Sequence, residues 1–148
     1  MSLFSFLKKD KIPEKPVVEI TTDIHSHFIP AIDDGSQSMD ETINLLTQME
    51  SLGYKKVITT PHTMANSFDN TPEIILGGLK KVQETIKKTG LSIQIEAATE
   101  YYLDETFIAR LKNKEPLLTF GENYVLVETG FINEPSELKE ASFMLSMQ

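Results

Sequence analysis

Thr22-Asp23-Ile24-His25-Ser26-His27-Phe28-Ile29-Pro30-Ala31-Ile32-Asp33-Asp34-Gly35 holds two of the chain's three histidines, two residues apart, with paired aspartates soon after. The run leading into it, Val17 to Ile24, is rich in Val, Ile and Thr, whereas Pro30 and Gly35 interrupt any regular element. The stretch therefore reads as a strand running into a loop. Residues i and i+2 of a strand share a face. His25 and His27 are expected to aim two imidazoles at one point, which is what a metal ion needs from its first pair of nitrogen ligands. Alone, the pair reads equally well as two hydrogen-bonded polar side chains, so the rest of the chain has to decide.

Downstream, Ser38-Met39-Asp40-Glu41 has the form of a capping box. Met39, Ile43, Leu46, Met49 and Leu52 recur at helical spacing, and Gly53 stands where the helix would end. Lys56 to Thr60 is a short β-branched run that stops at Pro61, and His62 follows it directly. Thr71-Pro72 opens a second helix with Ile75, Leu79, Val82 and Ile86 as its buried stripe and Gly90 as its stop. Gly77-Gly78 weakens its middle by roughly 1 kcal/mol per glycine. Leu91 to Ala98 reads as a third strand that delivers Glu100 at its end. Asp104 is placed to cap a short helix holding Phe107, Ile108 and Leu111, and Pro116 to Phe120 reads as a small extended piece. Tyr124 to Val127 is a fourth strand with Glu128 as its last residue, and Ser136 is expected to open a final helix.

Composition narrows the classes of function. A chain of 148 residues has room for one ordinary domain with a real core. Its formal charge of −8 argues against nucleic acid or an anionic membrane as partner. The absence of Cys excludes a disulfide framework and any thiolate-based catalysis. Residues 1–16 read as a mobile arm: Leu3 to Leu7 precede Lys8, Lys9 and Lys11, the reverse of a secretory signal. No later stretch is apolar enough to cross a bilayer, and a cytoplasmic location is expected.

Alternating strands and helices imply an α/β fold, a parallel sheet or barrel in which catalytic groups gather at the C-terminal ends of the strands. In that frame His25, His27, Asp34, His62, Glu100 and Glu128 fall at one edge. Any one of these acids alone reads as a helix cap or a solvated charge. Their convergence with all three histidines reads as a metal centre. Imidazole and carboxylate donors without thiolate suit zinc, manganese or iron, and so many carboxylates suit more than one ion. Neighbouring divalent ions clamp a phosphate and generate a hydroxide for in-line attack, so the expected activity is phosphoester hydrolysis.

Asp23 to Gly35, Thr59-Thr-Pro-His62, Ala98-Thr-Glu-Tyr-Tyr-Leu103 and Tyr124-Val-Leu-Val-Glu128 occur in an order and spacing that resemble a known family. They look like the N-terminal half of the polymerase-and-histidinol-phosphatase (PHP) metallohydrolases, in the branch of bacterial capsular and exopolysaccharide tyrosine-protein phosphatases. The resemblance implies a distorted (β/α) TIM-like barrel of parallel strands and up to three divalent ions, usually manganese, with iron or zinc as alternatives. It also implies dephosphorylation of a phosphotyrosine protein, a bacterial tyrosine kinase of polysaccharide synthesis. Position by position, His25 and His27 match ligands of the first metal, Glu100 a bridging carboxylate, Glu128 a ligand of the second metal, and Asp34 and His62 ligands of the third. Asp33, the weaker member of its pair, reads as a residue that supports a ligand or forms the turn. Ala31 stands where glycine is common and Thr63 where a further histidine is frequent.

The later histidine and arginine blocks of the family have no counterpart, since no histidine follows His62. A complete barrel runs to about 250 residues. Residues 17–148 are accordingly expected to be the N-terminal portion of a PHP domain, with the C-terminal part of the barrel missing. Open strand edges would then favour self-association into homo-oligomers or aggregates. A small-metabolite phosphatase of the same fold and an inactive metal-binding remnant are the alternative readings.

Overall fold

The computed structural model describes residues 20–132 and 135–147. The arm read over residues 1–16, the start of the first strand run at 17–19 and Gln148 lie outside the described residues. The elements run β1 (Thr22–Asp23), α1 (Met39–Ser51), β2 (Lys56–Thr59), β3 (His62–Thr63), α2 (Pro72–Thr89), β4 (Gln94–Ala97), β5 (Glu100–Tyr102), α3 (Glu105–Asn113), β6 (Leu126–Glu128) and α4 (Leu138–Ser146). All pairings between these strands are parallel, in two three-stranded sheets ordered β1-β2-β4 and β3-β5-β6. The fold is mixed α/β with parallel strands, as the alternation of elements implies.

The strands are shorter than the sequence suggests, and two of the expected runs are broken. His62, expected in the loop after β2, opens β3, and Glu100, expected at the end of the third strand, opens β5. Pro61 supplies the physical reason at the first break, because it has no N–H for a ladder. Backbone bonds nevertheless bridge both interruptions: Ala98 N–H donates to Thr59 O at 2.9 Å and Glu100 N–H to Pro61 O at 3.1 Å. His62 and Glu100 are register partners as a result. Directly opposed residues on paired strands are side-chain neighbours, so the register itself brings an imidazole to a carboxylate.

Local chemistry fixes the helices. Ser38 caps α1 by accepting from Glu41 N–H at 3.1 Å, while the Glu41 carboxylate reaches back to the Gln37 amide at 2.8 Å. At its other end Gly53, at φ +100°, lets Tyr54 N–H reach Met49 O and its own N–H reach Glu50 O, a Schellman closure. Thr71 and Asp104 cap α2 and α3 as expected. Gly78 in α2 has a packing reason: a Cβ there would lie 2.3 Å from Ile29 Cγ2. Leu46, Val57, Val82, Ile93 and Ile95 form the core between the first sheet and its two helices. Tyr101, Leu103, Phe107, Ile108, Leu111 and Ala141 form a second core beside β5.

Three local expectations are corrected. Leu52, placed on the buried stripe of α1, is 74% exposed because the helix has already ended there, and buried Thr42 bonds to Phe28 O instead. Residues 116–120 form no strand; Phe120 bridges back to Tyr124 around a turn with Gly121 and Asn123 at positive φ. Ser136 does not cap α4, which begins at Leu138 after Glu137 with no side-chain cap. Among the described residues, no helix is long and apolar enough to cross a membrane.

Candidate metal centre

The loop after β1 is built to present its histidines. Thr59 Oγ1 accepts from Phe28 N–H at 2.8 Å and donates to Ser26 O at 2.9 Å, tying the loop to the end of β2. Gly35 packs against the backbone and Cβ of His27 so closely that an added Cβ would meet them at 2.2–2.4 Å. Ala31 takes φ +58°, a left-handed conformation that glycine adopts without steric cost.

All six side chains singled out from the sequence come together. Donor atoms of His25, His27 and Glu100 lie within 4.8 Å of one another, as do those of His27, Asp34 and His62, and those of His62, Glu100 and Glu128. Glu100 is the hub. Its Oε1 is 3.7 Å from His25 Nε2, and its Oε2 is 3.2 Å from His27 Nε2 and 3.3 Å from His62 Nδ1. His62 Nδ1 also lies 3.6 Å from Glu128 Oε2, and His62 Nε2 lies 3.5 Å from Asp34 Oδ1. Two ligands each ~2.1 Å from one ion stand ~3–3.5 Å apart, so these spacings suit shared coordination.

Asp33 makes both kinds of contact read for it. Its Oδ1 accepts from Gly35 N–H at 3.0 Å, closing the turn. Its Oδ2 lies 2.7 Å from His27 Nδ1 and accepts from His62 N–H at 3.0 Å. Burial would raise the Asp33 carboxyl, but the hydrogen bonds from His27 and from the Gly35 and His62 amides, with the His27 charge, hold it below its ordinary value. Burial likewise opposes protonation of His27, yet the hydrogen bond and charge of Asp33, with the charges of Glu100 and Asp34, raise it above its ordinary value. A carboxylate on Nδ1 leaves Nε2 facing Glu100, the arrangement in which a metal-binding histidine is usually held.

The donor set fits a divalent cation. Glu100 Oε2 and His62 Nδ1 are both buried and have no hydrogen-bond partner among the described residues, although they are 3.3 Å apart. Buried polar atoms are rarely left so, and a cation between them would satisfy both. The donors are imidazole and carboxylate, which suits manganese, iron or zinc.

Three contributors were not singled out in the sequence. Thr60 Oγ1 lies 3.2 Å from His25 Nδ1, Asn70 Nδ2 donates to His62 O at 2.8 Å and to Ile32 O at 3.0 Å, and Phe68 stacks on the His62 ring. They come from other strands and loops than the residues they support, and only the Thr-Thr-Pro-His block placed one of them beside a histidine.

Residues 21–148 match the sequence profile of the family described as capsular polysaccharide synthesis, CpsB/CapC. The CapC protein of Staphylococcus aureus is 35% identical over 109 residues, 72% of this chain and 42% of that protein. The tyrosine-protein phosphatase CpsB of Streptococcus pneumoniae is 28% identical over 106 residues, 72% of this chain and 44% of that protein. A solved structure from work on Bacillus subtilis YwqE and pneumococcal CpsB, described as metal-dependent tyrosine phosphatases, superposes with a TM-score of 0.76 at 22% identity. It covers 85% of this chain and 51% of that one, and at that identity it speaks for the fold. The chain thus spans about half the length of the relatives it matches. With the profile match running from the first strand through α4, the chain belongs to the CpsB/CapC family of capsular polysaccharide synthesis.

Proposed function

We propose that residues 17–148 are the N-terminal, metal-binding portion of a PHP-type, metal-dependent protein-tyrosine phosphatase acting in capsular or exopolysaccharide synthesis. The observation that carries the reading is the convergence of three imidazoles and three carboxylates in three overlapping donor groups, two of which share buried Glu100, with two of the facing donor atoms unpartnered among the described residues. The family match and the metal-dependent phosphatases among its relatives support it. In this reading His25, His27, Asp34, His62, Glu100 and Glu128 hold up to three divalent ions, manganese first, with iron or zinc accepted by the same donors.

Divalent ions held here would supply charge neutralisation of the phosphate and acidification of water. The chain's own residues do the rest. Glu100, shared by two of the three donor sets, would contribute to holding a cation in each. Asp33 fixes the tautomer of His27, and the Thr59 hydroxyl holds the loop that carries both early histidines. No nucleophilic side chain is required, which accords with a chain without cysteine. The substrate is a phosphotyrosine protein, a tyrosine kinase of polysaccharide synthesis.

The strands form part of a distorted β/α barrel. Among the described residues β6 pairs only with β5, and Phe131, Ile132, Phe143 and Met147 are 67–100% exposed, which supports a face that the rest of a barrel, or a second copy, would cover. The test is hydrolysis of a phosphotyrosine peptide against a sugar phosphate, before and after chelation and manganese reloading. Peptide turnover that is lost with EDTA and restored by metal is expected. Turnover that survives chelation overturns the reading, and a preference for the sugar phosphate moves it to a small-metabolite phosphatase. Full metal occupancy with no turnover would make the 148-residue chain a metal-binding piece without catalysis.

A further inference from the structure

The three histidine rings of the centre are held in three different ways. His25 has the Thr60 hydroxyl on Nδ1 and His27 has the Asp33 carboxylate on Nδ1. Among the described residues His62 has neither kind of support: its Nδ1 is buried without a hydrogen-bond partner, and its Nε2 faces Asp34 at 3.5 Å. Two rings lie against it: that of His27, tilted by 53° with centroids 4.6 Å apart, and that of Phe68, which alone stacks near-parallel, with centroids 5.5 Å apart and planes only 13° from parallel.

The loop carrying Phe68 is tied at several points. Met64 and Phe68 exchange backbone bonds of 3.0 and 2.9 Å, with Asn66 between them at φ +62°. Asn70 then donates to the carbonyl of His62 itself and its own carbonyl accepts from Thr63 Oγ1, so the loop returns to the residue whose ring it covers. The chemistry of the contact suits the place. A hydrogen-bonding support would occupy one ring nitrogen, whereas both nitrogens of His62 face acids, Nδ1 toward Glu100 and Glu128 and Nε2 toward Asp34. An offset aromatic stack restrains the plane of the ring, which otherwise turns in a broad torsional well, and leaves both nitrogens open.

We propose that Phe68 is a positioning residue of the centre, holding the His62 imidazole by stacking as Thr60 and Asp33 hold the other two by hydrogen bonds. The proposal rests on the metal-centre reading for one of its two readouts and is independent of it for the other. In the metal-free chain, the carbon-bound ring protons of His62 are expected at high field in the NMR spectrum because of the Phe68 ring current. That shift should collapse in Phe68→Leu and persist in Phe68→Tyr. In manganese or cobalt titrations, Phe68→Leu should weaken the most loosely held ion by about two- to tenfold, the range of an aromatic pair, and Phe68→Tyr should restore wild-type affinity. Unshifted His62 ring protons in the wild type, or a Phe68→Leu chain that binds every ion as the wild type does, would overturn the proposal. A wild type that takes up no metal would overturn the metal-centre reading instead, while the ring protons still decide the role of Phe68.

Discussion

The centre has a closed side and an open side. The side chains of Asp33, Glu100 and His27 are 0%, 7% and 16% exposed, whereas those of Glu128, Asp34 and His25 are 30%, 67% and 52% exposed. On the closed side folding alone arranges the groups: Asp33 is bonded to His27 and to two amides, and Glu100 is locked in register with His62. On the open side each acid lies against a single imidazole, at 3.5–3.6 Å, and water is free to solvate it. Burying an unpaired charge costs far more than exposing one. In the reading proposed above, the closed side would be a preformed demand for a cation, and the open side would complete the coordination once a cation is present.

Substituting Glu100 breaks this contrast most severely. Glu100 belongs to two of the three donor groups, so Glu100→Gln should abolish the ions that depend on it, read as metal per chain by elemental analysis. The same change removes a buried carboxylate with an unpartnered oxygen, and the metal-free variant should be more stable than wild type by about 1–3 kcal/mol in urea. A loss of both metal and apo stability would contradict the idea of an unmet demand.

Asp33→Ala should act in the opposite sense on folding. Metal affinity should fall by about 10–100-fold, as for other carboxylates that orient a histidine ligand. Stability of the metal-free chain should also fall, by about 1–3 kcal/mol, because the half-buried His27 ring and the Gly35 and His62 amides lose an acceptor. An Asp33→Ala chain that is as stable as wild type would place the pair outside the folding energetics.

A pH series in EDTA sharpens the same point. Asp33, held below its ordinary 3.8, contributes stability that is present above that value and lost as pH falls through its lowered folded pKa. His27, raised above its ordinary 6.5, contributes stability that is full below that value and lost as pH rises through its raised folded pKa. The contribution of the pair should thus be greatest between these ordinary values. Asp33→Asn should flatten the urea-midpoint profile at both ends, and an unchanged profile would remove the pair as its source.

On the open side the effects should be smallest. Glu128→Ala should remove the one ion that needs it and leave stability within about 0.5 kcal/mol of wild type, as expected of a partly solvated side chain. A variant that loses every ion would erase the distinction between the two sides.

How much of this was legible in the sequence depends on the distance over which each contact is made. His25 and His27 stand out by their close spacing, although β1 ends at Asp23 and it is the loop beyond it, not strand periodicity, that turns both rings toward Glu100; the caps Ser38, Thr71 and Asp104 show by local spacing. Asp33 and Asp34 are adjacent and chemically identical, and only the fold sends one inward to His27 and the other out toward His62. Thr60 and Phe68 carry no sequence signal for their roles, because each is a threonine or phenylalanine in ordinary surroundings until the chain brings a histidine ring to it. The strand breaks before His62 and Glu100 were hidden for a related reason: Pro61 marks the first, while the second follows the register imposed by its neighbour.

Metal content per chain, measured after dialysis against chelator-free buffer containing manganese and then against metal-free buffer, tests the centre most directly. From six donors in three overlapping groups, about two to three ions are expected in the wild type and at most about one in Glu100→Gln. A folded wild-type chain that retains no manganese, iron or zinc, or a Glu100→Gln chain that retains as many ions as wild type, would contradict it.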